Sequence, residues 1–163
     1  MKTLGLIGGI SWLSTVSYYK TINQLTNARL GASHSAKLFL YSIDFNDFKE
    51  LQEKDDWIKI ESKLSNIAKQ FENAGADCIV ICANTPHLVA DKVSQKIKIP
   101  LIHIVEETAK EIVRQKITKV GLLGTKFTME NSFFIEQLSK FYIKTMIPDS
   151  PDRDFIHASI FTN

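Results

Sequence analysis

Cys78-Ile79-Val80-Ile81-Cys82, followed by Ala83-Asn84-Thr85-Pro86-His87, is the stretch that decides the fold. Five apolar residues in unbroken succession read as a strand buried on both faces, the kind found inside a parallel sheet. Thr85-Pro86 then reads as a helix start. Thr85 is the expected N-cap, and Pro86 takes the first helical position, where its fixed φ fits and its missing N–H costs nothing. A buried strand running straight into a helix is one unit of an alternating α/β chain.

The same alternation extends in both directions. Upstream, Leu4-Gly5-Leu6-Ile7 is a short apolar strand closed by the tight turn Gly8-Gly9. A helix over about residues 12–30 follows, capped by Ser11 or Ser14, with Val16, Tyr19, Ile22 and Leu25 on one face. A second strand spans 38–43. Trp57, Ile60, Leu64, Ile67, Ala68 and Phe71 mark an amphipathic helix that ends before Gly75. Downstream, Pro100 opens a short apolar segment, and a helix over 105–115, a strand over 119–123, a helix over 127–140 and a strand over 142–147 follow. Ser150-Pro151 opens a last helix. This order predicts a parallel sheet flanked by helices, with ligands at the carboxyl ends of its strands.

Composition narrows the function classes. The chain has 163 residues, 44% hydrophobic and 23% charged, with a formal net charge of +2. That charge, without a Lys/Arg cluster, argues against a nucleic-acid partner. No apolar run approaches a membrane span and no signal peptide is visible, so no membrane partner is expected. Cys78 and Cys82, four residues apart in a strand, would lie roughly 13 Å apart, too far for a disulfide. Free thiols fit a reducing cytoplasm. With His87 as the lone nearby histidine, no metal site is expected.

Leu4-Gly5-Leu6-Ile7-Gly8 is echoed by Val120-Gly121-Leu122-Leu123-Gly124 in the same strand-to-helix context. We read this as a duplication, with a first domain over 1–116 and an incomplete second over 117–163. The strand end that would answer Cys82–Thr85 falls beyond residue 163, so truncation before the second catalytic half is the expectation.

Three strand ends carry candidate chemistry. At Cys82–Thr85, a thiol facing a helix start is expected to have a lowered pKa. Asn84 and Thr85 add an amide and a hydroxyl able to hold a carboxylate, a set suited to proton abstraction beside a carboxylate. The plainer alternative is a packed cysteine and a capping threonine. Gly8-Gly9-Ile10-Ser11 with Ser14-Thr15 offers a glycine turn and hydroxyls. It matches no nucleotide-binding fingerprint, although Asp44 after the second strand keeps a nucleotide-binding module as an alternative. Gly124-Thr125-Lys126-Phe127-Thr128 repeats the pattern.

Taken together, the segments resemble the aspartate/glutamate racemase family, in its aspartate racemase branch. They are Gly5 to Trp12 with Ser14-Thr15 and Tyr18-Tyr19, Leu40 to Phe45, Cys82 to His87, Gly121 to Glu130, and Ile147 to Asp149 with Asp152-Arg153. The resemblance implies a flavodoxin-like first α/β domain plus an incomplete second domain of the same kind. It implies racemisation of aspartate or glutamate by two acid–base groups on opposite faces of the α-carbon, without a cofactor or metal. Cys82 is the implied catalytic residue. The implied substrate contacts are Ile10, Ser11, Gln52, Ala83, Asn84 and Thr85, with Thr125 and Thr128 in the second half. The family's base stands directly before Asn-Thr; here that place is Ala83, and Cys82 lies one residue earlier, a shift that turns a strand side chain to the other face. A homodimer partner or a further segment would supply the second base. The remaining alternative is a non-catalytic, dicarboxylate-binding remnant.

Overall fold

The computed structural model describes residues 1–161. They form two compact units, the first Met1–His103 and the second starting at Ile104.

In the first unit, four parallel strands make one sheet: β1 (Thr3–Gly8), β2 (Lys37–Ser42), β3 (Cys78–Ile81) and β4 (Leu101–Ile102), in the order β2-β1-β3-β4. Ile7 pairs with Tyr41 on one side and with Ile81 on the other. The connections leave β1 in one direction and β3 in the other, so the strand order reverses between them. In α/β sheets, ligands bind in the crevice outside the carboxyl ends of the strands at such a point.

The core lies on one face. Ile7, Ile79 and Ile81 pack with Ile60, Leu64, Ile67, Ala68 and Phe71 of α3 (Trp57–Asn73), and Ala83 sits at the margin. This is the amphipathic stripe expected from the sequence. Each such side chain, fully buried, contributes roughly 1.5–3 kcal/mol. Leu6 and Cys82 are equally buried but lie outside this cluster, because successive strand side chains alternate between faces.

The other face is covered by α1 (Trp12–Leu30), and here the expectation fails. Val16, Tyr19 and Leu25, expected to face the core, are 54%, 50% and 65% exposed; Thr15 is the buried residue. The rotation of α1 is set by polar bonds at its first turn rather than by its apolar stripe. Ser11 is the N-cap, and the N–H of Gly9 donates to Thr15 Oγ1 at 2.9 Å.

One helix was absent from the sequence expectation. α2 (Phe45–Glu53) follows β2, with the Asp44 carboxylate capping the N–H of Asn46. Asp44 is thus used as a helix cap, which removes the motive for a ribose contact. After β3, a 3-10 turn spans Thr85–Val89 and α4 spans Ala90–Ser94. The N-cap place falls on Asn84, not Thr85, and Asn84 makes no side-chain capping bond.

In the second unit, α5 (Ile104–Arg114) packs Val105 and Ala109 against Phe134, Leu138 and Ile143, which is why a helix expected in the first domain sits with the second unit. β5 (Lys119–Gly121) and β6 (Lys144–Met146) form a parallel pair. The helix expected over 127–140 is two helices, α6 (Lys126–Glu130) and α7 (Ser132–Ser139). The break comes at Asn131, whose side chain leaves the helix to cap the N–H of Phe133 at 3.0 Å. α8 (Ser150–Phe161) completes the described chain.

Candidate active site

The crevice is built from two strand ends held together by backbone and hydroxyl bonds. The N–H of Cys82 donates to the carbonyl of Ile7 at 2.8 Å, carrying the β1–β3 ladder one step past the strand. Ser14 Oγ lies 2.7 Å from the carbonyl of Cys82 and 2.9 Å from that of Ser11. One hydroxyl therefore joins the loop after β1 to the end of β3. The loop carrying Ile10 and Ser11 is thereby tied to Cys82, the residue before Ala83, Asn84 and Thr85.

Gly9 makes the approach of the neighbouring loop feasible. Its φ is +89°, and a Cβ there would stand 2.0 Å from the carbonyl oxygen of Ile43. Its N–H is already held by Thr15. The glycine turn thus serves local packing rather than offering that N–H to a phosphate.

The side chains at the end of β3 divide between faces. Asn84 is exposed, and Ala83 and Thr85 are half-buried. Cys82 is 0% exposed, turned to the α1 side. Burial pushes its thiol up to about 12, which overturns the expected lowering: removing the sulfur from water disfavours the thiolate, and the short 3-10 turn does not offset that loss. Tyr18, one helical turn beyond Ser14, is raised as well, first by burial and then by the nearby Cys82.

Gln52 lies half-buried in the last full turn of α2; no side-chain hydrogen bond among the described residues ties it to the β1 and β3 ends. Thr125 and Thr128 belong to the second unit. Thr125 caps α6 by accepting from the N–H of Thr128 at 3.3 Å, and the two hydroxyls lie 3.1 Å apart. The N–H of Lys126 donates to His157 Nδ1 at 3.2 Å. Among the described residues, no group of three or more His, Cys, Asp or Glu is placed to hold a metal ion, and no helix is long and apolar enough to cross a membrane.

Of three groups around the crevice, Ser14 is expected from the sequence as a helix cap or anion-binding hydroxyl and His87 as a residue close enough to Thr85 to matter, whereas Tyr18 has no expected role. Ser14 and Tyr18 share a helix face at i, i+4 spacing, a signal visible in the sequence but masked by the apolar stripe beside it. His87 is 0% exposed, with its ring 4.8 Å from that of His103 in an edge-on arrangement. Burial, followed by the charge of His103, pushes His87 down to about 4, against the opposing effect of the Ala83, Asn84 and Ile102 backbone.

Comparison with known proteins places the chain in a family. The family model for Asp/Glu/Hydantoin racemase matches residues 7–163. The chain is 26% identical over 134 residues to the broad specificity amino-acid racemase RacX of Bacillus subtilis (strain 168), spanning 80% of this chain and 58% of that protein. It superposes on the crystal structure of an Asp/Glu racemase candidate from Yersinia pestis with a TM-score of 0.94 and 48% identity, covering 99% of this chain and 70% of that one. An aspartate racemase homologue from Pyrococcus horikoshii OT3 gives a TM-score of 0.89 and 35% identity over the same shares of the two chains. The chain, matched over nearly its whole length, belongs to the Asp/Glu/Hydantoin racemase family.

Proposed function

We propose that the strand-end crevice binds an acidic amino acid, aspartate or glutamate, and serves cofactor-independent proton transfer at its α-carbon. The observation that carries this reading is the Ser14 hydroxyl set between the carbonyls of Ser11 and Cys82, which ties the loop after β1 to the strand end that leads into Asn84 and Thr85. Asn84, Thr85 and Ser11, with the backbone at Ile10 and Ala83, are the proposed holders of the carboxylates. Gln52 is proposed as a further contact, and Thr125 and Thr128 are proposed as carboxylate-binding hydroxyls of the second unit. Free, buried Cys78 and Cys82 suit a reducing compartment, and the cytoplasm is the proposed location.

Inversion takes a proton donor and an acceptor on opposite faces of one carbon. Cys82 is the proposed group on one face; the opposite face takes a second group from outside this cluster, with a second copy of the chain as one source. At rest the Cys82 thiol holds its proton, so it starts as the donor. The substrate ammonium, adjacent to the reacting carbon, favours the thiolate that results.

The burial of Cys82 also favours a second reading, in which the crevice binds a dicarboxylate without turning it over. Incubation with L-aspartate in heavy water separates the two. Deuterium at the α-carbon together with D-aspartate supports two-base racemisation. Deuterium without inversion indicates one working group. Saturable aspartate binding with no deuterium uptake supports binding alone, and neither binding nor exchange removes both readings.

A further inference from the structure

We propose that His87 is the positioning residue of this crevice: as a neutral imidazole it holds the two peptide planes that present Asn84 and Thr85. The inference rests on the proposed amino-acid site at those residues. His87 Nδ1 lies 2.8 Å from the carbonyl oxygen of Ala83 and 3.3 Å from that of Asn84. A carbonyl can only accept, so Nδ1 carries the proton and the neutral ring leaves its lone pair on Nε2. The backbone N–H of His87 also donates to the carbonyl of Asn84 at 3.0 Å. One buried residue thus draws two successive carbonyls inward, one with its ring and one with its main chain.

The consequence follows from the planarity of the peptide. In a trans peptide the C=O and N–H point in opposite directions. Turning the Ala83 carbonyl towards His87 aims the N–H of Asn84 away from it, and turning the Asn84 carbonyl inward does the same for the N–H of Thr85. Two neighbouring N–H groups facing one way, beside an Asn side chain not engaged in capping, suit a carboxylate. An aliphatic side chain would fill the same buried space but could not hold the Ala83 plane. The ring of His103, packed edge-on, limits rotation of His87 away from its carbonyls.

The test uses the 163-residue chain and nitrogen-resolved NMR of its imidazoles and amides. The wild type is expected to show His87 with an exchange-protected proton on Nδ1; a proton on Nε2 instead would overturn the proposal and needs no variant. His87→Asn places an amide N–H near the Nδ1 position, whereas His87→Leu provides no donor. His87→Leu is expected to shift the Asn84 and Thr85 amides and to weaken L-aspartate binding by about tenfold, with His87→Asn recovering most of that loss. Equal amide shifts and equal binding in all three proteins would overturn the proposal. If His87→Leu does not fold, the wild-type tautomer and the His87→Asn amides still decide. If the wild type ignores L-aspartate while the Nδ1 proton and the amide shifts behave as expected, the amino-acid reading fails and the positioning role stands.

Discussion

The hydroxyl of Ser14 stands 2.7 Å from the carbonyl oxygen of Cys82, sixty-eight positions away in sequence. Its other neighbour is the carbonyl of Ser11, at 2.9 Å. This side chain joins the start of α1 to the end of β3, and it explains why α1 turns a hydroxyl-bearing face to the sheet and leaves Val16 and Tyr19 in water.

Removing that hydroxyl takes the side-chain donor from the Cys82 carbonyl, whereas the Ser11 carbonyl keeps Thr15 Oγ1 at 3.4 Å. Ser14→Ala is expected to lower unfolding free energy by about 1–2 kcal/mol, measured by chemical denaturation. Aspartate binding should weaken in the same variant, because the loop bearing Ser11 is no longer tied to the strand bearing Cys82.

Two glycines with positive φ should respond very differently to alanine. At Gly9 (φ +89°) the new Cβ would stand 2.0 Å from the Ile43 carbonyl oxygen, whereas at Gly31 (φ +74°) nothing lies within 4 Å. Gly31→Ala therefore costs only the backbone strain of its φ +74°, ψ −170° conformation, about 1–3 kcal/mol. Gly9→Ala adds a backbone collision and is expected to cost about 3 kcal/mol or more. Equal midpoints in a denaturant titration would contradict the packing around Gly9.

Cys82 should be nearly inert to alkylation in the folded chain. With its thiol pushed up to about 12 from an ordinary value of 9.0, the thiolate fraction at pH 8 falls about a thousandfold, and the rate of reaction follows the thiolate. Mass-mapped iodoacetamide labelling is expected to mark Cys82 only after denaturation. Rapid native labelling would show that the sulfur is open and ionised. A thiol raised in the fold also favours the unfolded chain as pH climbs above 9, so stability should decline on the alkaline side.

His87 produces an acid-side loss of stability. Its folded value of about 4 lies below the ordinary 6.5, so between those limits the unfolded chain binds a proton that the folded chain does not. This contribution is intact above pH 6.5 and is lost as pH falls towards 4, to a total of up to roughly 3 kcal/mol. Denaturation across that range should show His87→Asn with a shallower pH dependence than the wild type. Identical slopes would mean that His87 is not held neutral.

Asn84 is exposed and makes no capping bond, so Asn84→Ala is expected to change stability by no more than about 0.5 kcal/mol. If it holds a carboxylate, the same substitution weakens L-aspartate binding by about tenfold. Calorimetric titration measures the affinity and thermal melting the stability. An unchanged affinity would remove Asn84 from the proposed site.

Local features are legible in the order of the residues. The run from Cys78 to Cys82 marks a buried strand, the stripe from Ile60 to Phe71 marks the helix that covers it, and Gly8-Gly9 marks the turn, because each is a short-range pattern of burial or backbone freedom. The sequence alone thus determined an alternating α/β chain with its polar groups at the strand ends. The face of each side chain was decided only in three dimensions. α1 rotates to satisfy bonds from Ser14 and Thr15 to partners on other segments, Asp44 goes to a helix that no apolar pattern announced, and Asn131 divides one expected helix into two. The protonation of Cys82 and His87 belongs to the tertiary structure for the same reason: both are set by how much water the surrounding fold removes, and that depends on residues distant along the chain.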